Sequence, residues 1–166
     1  MIGLILFAVF LAGFDVFAIW LVLSGAPFVP SKASAVEKVL ACSKTGPGTT
    51  MADIGSGDGR IVMAFARTGA EAHGYEINPL LVWWSRRKIR AAKLEGRAFI
   101  HLKDLWRVDY SPYDTVTLFG VTHIMKRLEK KLRRELKPGS RVISIAFRFP
   151  TWEISKTLDH VHVYER

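Results

Sequence analysis

Three carboxylates and three glycines are the residues of this chain whose types and spacing could do chemistry: Asp53, Glu76 and Asp104, with Gly55, Gly57 and Gly59. The glycines lie in Met51-Ala52-Asp53-Ile54-Gly55-Ser56-Gly57-Asp58-Gly59-Arg60-Ile61-Val62, where an apolar strand pattern ends in an acid, a loop and a helix start. Glu76 closes a second strand pattern, and Asp104 follows a third. In an open parallel sheet, ligands bind beyond the carboxyl ends of the strands, so acids at three successive strand ends face one ligand. Glycines there let the backbone approach that ligand closely and adopt positive φ. The dinucleotide fingerprint Gly-x-Gly-x-x-Gly sets a pyrophosphate on a helix N-terminus. Here the third glycine comes one residue early, and Asp53 just before the loop would repel a phosphate. The pattern suits a ligand with a positive end.

S-adenosylmethionine has such an end, an α-ammonium beside a sulfonium, and carries no phosphate. Asp53 answers the cation. Glu76 can accept both ribose hydroxyls, because an ionised carboxylate is acceptor-only. Asp104 can accept from the adenine amino group, or else cap a turn. Asp58 reads as a solvated loop residue or a cap, and Ser56 as a residue chosen for small size. The single cysteine, Cys42, excludes an intrachain disulfide and a cysteine-based zinc site, and no metal site is expected.

These residues need strands to carry them and helices to cover the strands. The pattern predicts strands at Thr49–Ile54, Ala72–Glu76, Ala98–Leu102, Thr115–Phe119 and Arg141–Phe147, with a short last strand at Val161–Tyr164. Helices are expected from Ser31 as N-cap through Cys42, over Arg60–Thr68, from Asn78-Pro79 to about Leu94, and over Met125–Leu136. Alternating strands and helices mean an α/β fold, a mostly parallel sheet wrapped on both faces. His73 and His101 fall on strand patterns and read as packing or surface residues.

Ile2 to Leu23 is almost continuously apolar, with Asp15 as its one charge. About 20 such residues span a bilayer. A signal peptide would want a basic n-region, and few core helices are apolar on every side. The segment therefore reads as one transmembrane helix over residues 1–24, followed by a single domain over 25–166. Asp15 within the span costs about 2.5–3.5 kcal/mol on an insertion scale. It reads either as a partner contact or as a charge that a strongly hydrophobic helix tolerates. Trp20 could anchor at the interface. All 24 lysines and arginines lie from Lys32 onward, and the net charge is +9. The positive-inside rule then puts the domain on the cytoplasmic side of a single-pass membrane protein. The basic helix Lys126–Lys137 and the basic, amphipathic Trp83–Lys93 stretch read either as solvated faces or as contacts with anionic lipid.

With loop, acids and flanks in view, the chain resembles the class I, seven-strand methyltransferases. More narrowly, it is similar to the mitochondrial lysine N-methyltransferases that modify the ATP synthase c-subunit and the adenine nucleotide translocator, and to their prokaryotic relatives. The stretches that carry this are Pro27-Phe28-Val29-Pro30-Ser31, the Asp53–Val62 loop, Gly74-Tyr75-Glu76-Ile77-Asn78-Pro79 with Trp83, and Asp104-Leu105-Trp106. Phe119-Gly120-Val121, Leu128-Glu129-Lys130-Lys131-Leu132 and Phe149-Pro150 with Trp152 complete them. The resemblance implies a Rossmann-like seven-strand fold behind an N-terminal hydrophobic segment. It also implies methyl transfer from S-adenosylmethionine to a lysine ε-amine, on a membrane protein. Cofactor contacts would come from Phe28, Val29, Pro30 and Ser31 as a cover, from Asp53, Gly55, Gly57, Gly59, Glu76 and Asn78, and from Asp104 and Leu105 at the adenine. Phe119, Phe149, Pro150 and Trp152 would line the acceptor channel. Val121-Thr122-His123 departs from a family glutamine, and the C-terminal region is short. An arginine-rich presequence is missing, which argues against mitochondrial import and for a prokaryotic plasma membrane over the mitochondrial inner membrane.

Lysine must lose its proton before it attacks, against a reference pKa of about 10.4. A narrow aromatic channel beside a sulfonium lowers that pKa by desolvation and charge. His123 could serve as a base, although a lone histidine is more often structural. Two rival readings stand: a methyltransferase for a small amine, lipid or nucleic acid, and a non-catalytic cofactor-binding scaffold. Phe119-Gly120-Val121-Thr122 lacks the Asn-Pro-Pro-Tyr signature of amino-methylases, so no nucleic-acid partner is expected.

Overall fold

Apolar and β-branched runs pair into one seven-stranded sheet of order β3-β2-β1-β4-β5-β7-β6. In this computed structural model, which describes residues 2, 3, 5–7, 9, 13, 33–120 and 122–166, the strands are β1 Thr50–Ile54, β2 Glu71–Glu76, β3 Ala98–Leu102, β4 Thr115–Phe119, β5 Arg141–Ile145, β6 Lys156–Leu158 and β7 Val161–Glu165. The first five run parallel, whereas β7 is antiparallel to β5 and β6 is antiparallel to β7. Central strands of a parallel sheet are buried on both faces, which is why β1 and β4 show almost no polar alternation. The chain order reverses at β1, which pairs with β2 on one side and β4 on the other. That switch point opens a crevice at the strands' carboxyl ends.

The helices are α1 Ala33–Cys42, α2 Arg60–Arg67, α3 Pro79–Ala91 and α4 Thr122–Glu135. The first three cover one face, where Val39, Met51, Val62, Phe65, Val82 and Ile100 form one core. The other face differs from the helical wrapping expected on both sides. Among the described residues, α4 alone covers it as a helix. Tyr110, Tyr113, Phe149 and Trp152, from non-helical segments, fill the rest against Leu128, Leu132 and Tyr164. Large rings bury enough area for a loop to do the work of a helix.

Strand β5 stops at Ile145, two residues short of the expected Phe147. Ala146 takes φ 67° and Phe147 N–H donates back to Ile145 O, so the ladder breaks in a tight turn. Strand β6 has no hydrophobic signature because its three residues are all exposed. Helix α4 begins three residues before the expected Met125, and its Leu128 and Leu132, with Leu136 just past its end, are buried as the spacing required.

At the N-terminus, Ile2, Ile5, Leu6, Phe7 and Val9 are helical and exposed. Among the described residues no helix is long and apolar enough to cross a membrane. Most of the expected span, including Asp15 and Trp20, lies outside the described residues, as do Phe28, Val29, Pro30 and Ser31, and Val121.

Candidate active site

The glycine loop leaves β1 at the switch point and enters α2. Gly55, Gly57 and Gly59 have φ of 71°, 54° and 76°, the left-handed region where a side chain is strained. Gly55 and Ser56 N–H both donate to Tyr75 O, which ties the loop to the end of β2. Gly74 in β2 lets the loop sit down: a Cβ there would lie 2.6 Å from both Ser56 Cβ and Ile100 Cδ1. The sequence singled out the loop glycines for the site but not this one, whose role depends on a close approach between separate elements.

Asp53 is 3% exposed, and its Oδ1 accepts a 2.7 Å hydrogen bond from Thr117 Oγ1, its register partner on β4. Burial pushes its pKa up to about 7; Thr117 opposes this, while Glu76 and Asp58 add to it. The carboxyl is therefore poised between forms near neutral pH, as a buried acid awaiting a cation would be. Thr117 had carried no signal, since a threonine in a strand looks like any β-branched residue.

Glu76 does more than hold a ligand. Its Oε2 accepts from Gly57 N–H at 2.9 Å, and its Oε1 from Ile77 and Asn78 N–H, both at 2.8 Å. Three of the roughly four acceptor sites of a carboxylate are thus engaged by backbone. Glu76 thus fixes the loop's shape and keeps about one lone pair free of the backbone. Asn78 caps α3 by accepting from Leu80 N–H at 3.0 Å. Asp104 caps the short 3₁₀ turn Leu105–Arg107 by accepting from Trp106 N–H at 3.0 Å through Oδ1. Asp104 and Leu105 are both half-buried beyond the end of β3.

Asp58 is neither solvated nor merely a cap. It is buried and takes Arg60 through both oxygens at 2.9 Å, together with Lys88 Nζ at 2.7 Å. Against the upward push of burial, these two cations hold its pKa down to about 2. The triad clamps the loop onto α3. The small size expected of Ser56 fits its place against Gly74; its Oγ is buried and has no hydrogen-bond partner among the described residues.

The acceptor residues divide. Phe119, at the carboxyl end of β4, is half-buried and meets Phe147 edge-to-face with centroids 5.7 Å apart. Phe147 was not expected; the Ala146 turn brings it there. His123 is exposed in the first turn of α4, on the same edge of the sheet. Trp152 is not brought to this edge. It is buried beside Phe149 and Tyr164, under the Arg133 guanidinium, and donates from Nε1 to Glu165 O at 3.1 Å. Glu165 pairs with Arg141 at the start of β5, the opposite edge of the sheet. Phe149 belongs to the same core, and Pro150 is exposed. Thr151 is held through its N–H and hydroxyl by the buried Glu129.

His73 and His101 sit half-buried on the face with sparse helical cover, stacked with Phe99 and Tyr75. Their rings share a 3.0 Å hydrogen bond. Among the described residues no group of three or more histidines, cysteines or acids could hold a metal.

A family model described as the ANTKMT methyltransferase domain matches residues 53–156. The chain is 47% identical over 135 residues to the ATP synthase c-subunit lysine N-methyltransferase of Homo sapiens, covering 81% of this chain. It spans only 56% of that relative's length. A protein-lysine N-methyltransferase of Saccharolobus islandicus is 34% identical over 128 residues, covering 76% of this chain and 80% of the relative. Among solved structures, an RNA methyltransferase from Salinibacter ruber in complex with S-adenosyl-L-homocysteine superposes with a TM-score of 0.76 at 30% identity. That match covers 82% of this chain and 91% of the other.

Proposed function

The chain belongs to the ANTKMT methyltransferase-domain family, and on that premise we propose that it is an S-adenosylmethionine-dependent protein-lysine N-methyltransferase. The observation that carries the cofactor is Asp53: a buried carboxyl at the switch point, with a pKa of about 7, beside a glycine loop. A cation placed against it restores its charge, whereas a phosphate would meet only repulsion. When bound, S-adenosylmethionine supplies a methyl group made electrophilic by its sulfonium. The residues that would hold it are Asp53, the Gly55–Gly59 loop, Glu76, Asn78, Asp104 and Leu105, with Phe28, Val29, Pro30 and Ser31 as its cover.

The acceptor reading rests on the two lysine-methylating relatives and on the aromatic pair at the ends of β4 and β5. Phe119 and Phe147 would flank an incoming lysine and strip water from its ammonium, which lowers its pKa and favours the free amine. Positioning then supplies most of the rate. No dedicated base is required; His123 is exposed and free to relay a proton to solvent. The apolar segment Ile2–Leu23 supports a single-pass anchor and the lysines that follow it a domain on the cytoplasmic side, which suits a membrane protein as acceptor.

One observation favours a second reading. The Salinibacter ruber relative is named as an RNA methyltransferase, and a net charge of +9 suits nucleic acid. Incubating the purified chain with methyl-labelled cofactor and membranes plus RNA from a strain lacking the gene separates the two. The lysine reading expects label in the protein fraction, and label confined to RNA or lipid overturns it.

A further inference from the structure

Helix α3 starts at the rim of the proposed cofactor site, three residues after Glu76 and directly after the Asn78 cap. Its inner face is buried through Val82, Ser85 and Ile89. Its outer face is unusual: Leu80 is 68% exposed, Trp83 60% and Trp84 53%. Leu102, the last residue of β3, is 55% exposed. Arg86 donates to Ile100 O from Nε at 2.9 Å and from Nη2 at 2.7 Å, which fixes the helix against that strand. Leu102 lies two residues further along β3 than Ile100, and Trp83 about one turn back along α3 from Arg86, so both lie toward the carboxyl end of the strand. Leu102 also pairs with Glu76, so all four residues lie at the carboxyl edge that carries the site.

Soluble monomers rarely expose such a cluster unless it binds something. Its chemistry selects the partner. Two adjacent tryptophans suit a membrane interface, where an amphipathic ring has one side in hydrocarbon and one at the headgroups. Behind them come the exposed Arg87, Arg90 and Lys93, with the exposed Lys103 following Leu102, whereas Lys88 is taken up by Asp58 and Arg86 by Ile100 O. The Arg87 guanidinium lies 5.9 Å from the Trp83 ring centre, so charge and ring share one face. An apolar tip backed by cations is the layout of a surface that rests on an anionic bilayer.

We propose that Leu80, Trp83, Trp84 and Leu102 form a bilayer-docking face that presents the rim of the cofactor site to anionic headgroups. The anchor alone would leave the domain free to turn. This face fixes its orientation, so the acceptor is met at the membrane surface. The inference rests on the membrane-tethered reading above.

The test uses the full chain reconstituted in vesicles of phosphatidylcholine, with and without phosphatidylglycerol. Cys42 is buried, so an environment-sensitive fluorophore attaches at an introduced cysteine: Leu80→Cys at the docking face, or Lys156→Cys on exposed β6 at the other end of the sheet. The expected result is a blue shift and loss of aqueous quenching at position 80, greater with phosphatidylglycerol, and neither change at position 156. Adding Trp83→Ser and Trp84→Ser should abolish the shift at position 80 while calorimetric affinity for S-adenosylhomocysteine stays unchanged. Vesicle flotation without a shift at 80, or with equal shifts at 80 and 156, overturns the docking face and leaves the tether standing. No flotation in either lipid overturns both. A shift that appears only when membrane proteins are added overturns the lipid assignment in favour of a protein partner.

Discussion

Asp53 is the residue proposed to select the cofactor, and its protonation makes that testable. In the ligand-free protein its carboxyl titrates near 7, raised chiefly by burial. A bound ammonium favours the charged form, so the pKa falls on binding. Affinity for S-adenosylhomocysteine is then complete above pH 7 and declines as pH drops through 7, by up to about tenfold per unit for one linked proton. Isothermal titration across this range should show that slope, and Asp53→Asn should bind weakly with a flat profile. The stability sign is opposite. A raised carboxyl pKa costs the empty fold stability as pH rises from the unfolded value of about 3.9 through 7. At pH 8 the empty Asp53→Asn protein should therefore melt higher than wild type; a gain on the order of 1 kcal/mol would be about 3 °C. The aromatic residues separate in the same way. Phe147→Ala should lower kcat/KM for the acceptor and leave cofactor affinity intact. Trp152→Leu, at the far edge of the sheet, should lose about 2–3 kcal/mol in urea unfolding with kcat/KM per folded molecule preserved. Equal activity losses from both would return Trp152 to the acceptor channel.

Among the elements, the loop's shape is set by what lies beneath it. Glu76 holds three backbone N–H groups, Asp58 clamps Arg60 and Lys88, and Gly74 leaves room for Ser56. Gly74→Ala adds a methyl 2.6 Å from Ser56 and Ile100 in a well-packed layer. It should cost about 1–3 kcal/mol by denaturant unfolding and weaken cofactor binding as the loop lifts. The sequence made the strands legible because buried parallel strands read as apolar runs, and β3 and β4 lie where the pattern placed them. It made the loop legible because a left-handed backbone requires glycine. The end of β5 stayed hidden, since Ala146 has a positive φ and no alanine advertises that. Phe147 was missed for this reason. Strand β6 was missed because three exposed residues carry no period.

For the molecule as a whole, the fold gathers acids at the carboxyl ends of the strands in a protein of net charge +9. Close in, on the reading proposed above, Asp53 would answer the cationic end of the cofactor, Glu76 its ribose and Asp104 its adenine. Further out, the positive surface suits an acidic environment, and part of it is engaged internally: Arg127 lies over Trp106, and Lys131 bonds Val108 O and Glu135. The charge total made the basic surface legible but not this internal share, because pairing between distant segments leaves no pattern along the chain. The central claim is that this site passes a methyl group to the ε-amine of lysine. Deuterated-methyl S-adenosylmethionine, the purified chain and membranes from a strain lacking its gene, followed by peptide mass spectrometry, test it most directly. The expected result is a deuterated methyl on a lysine Nζ of a membrane protein with wild type and none with Asp53→Asn. Label absent from every lysine, or equal labelling by both proteins, would contradict it.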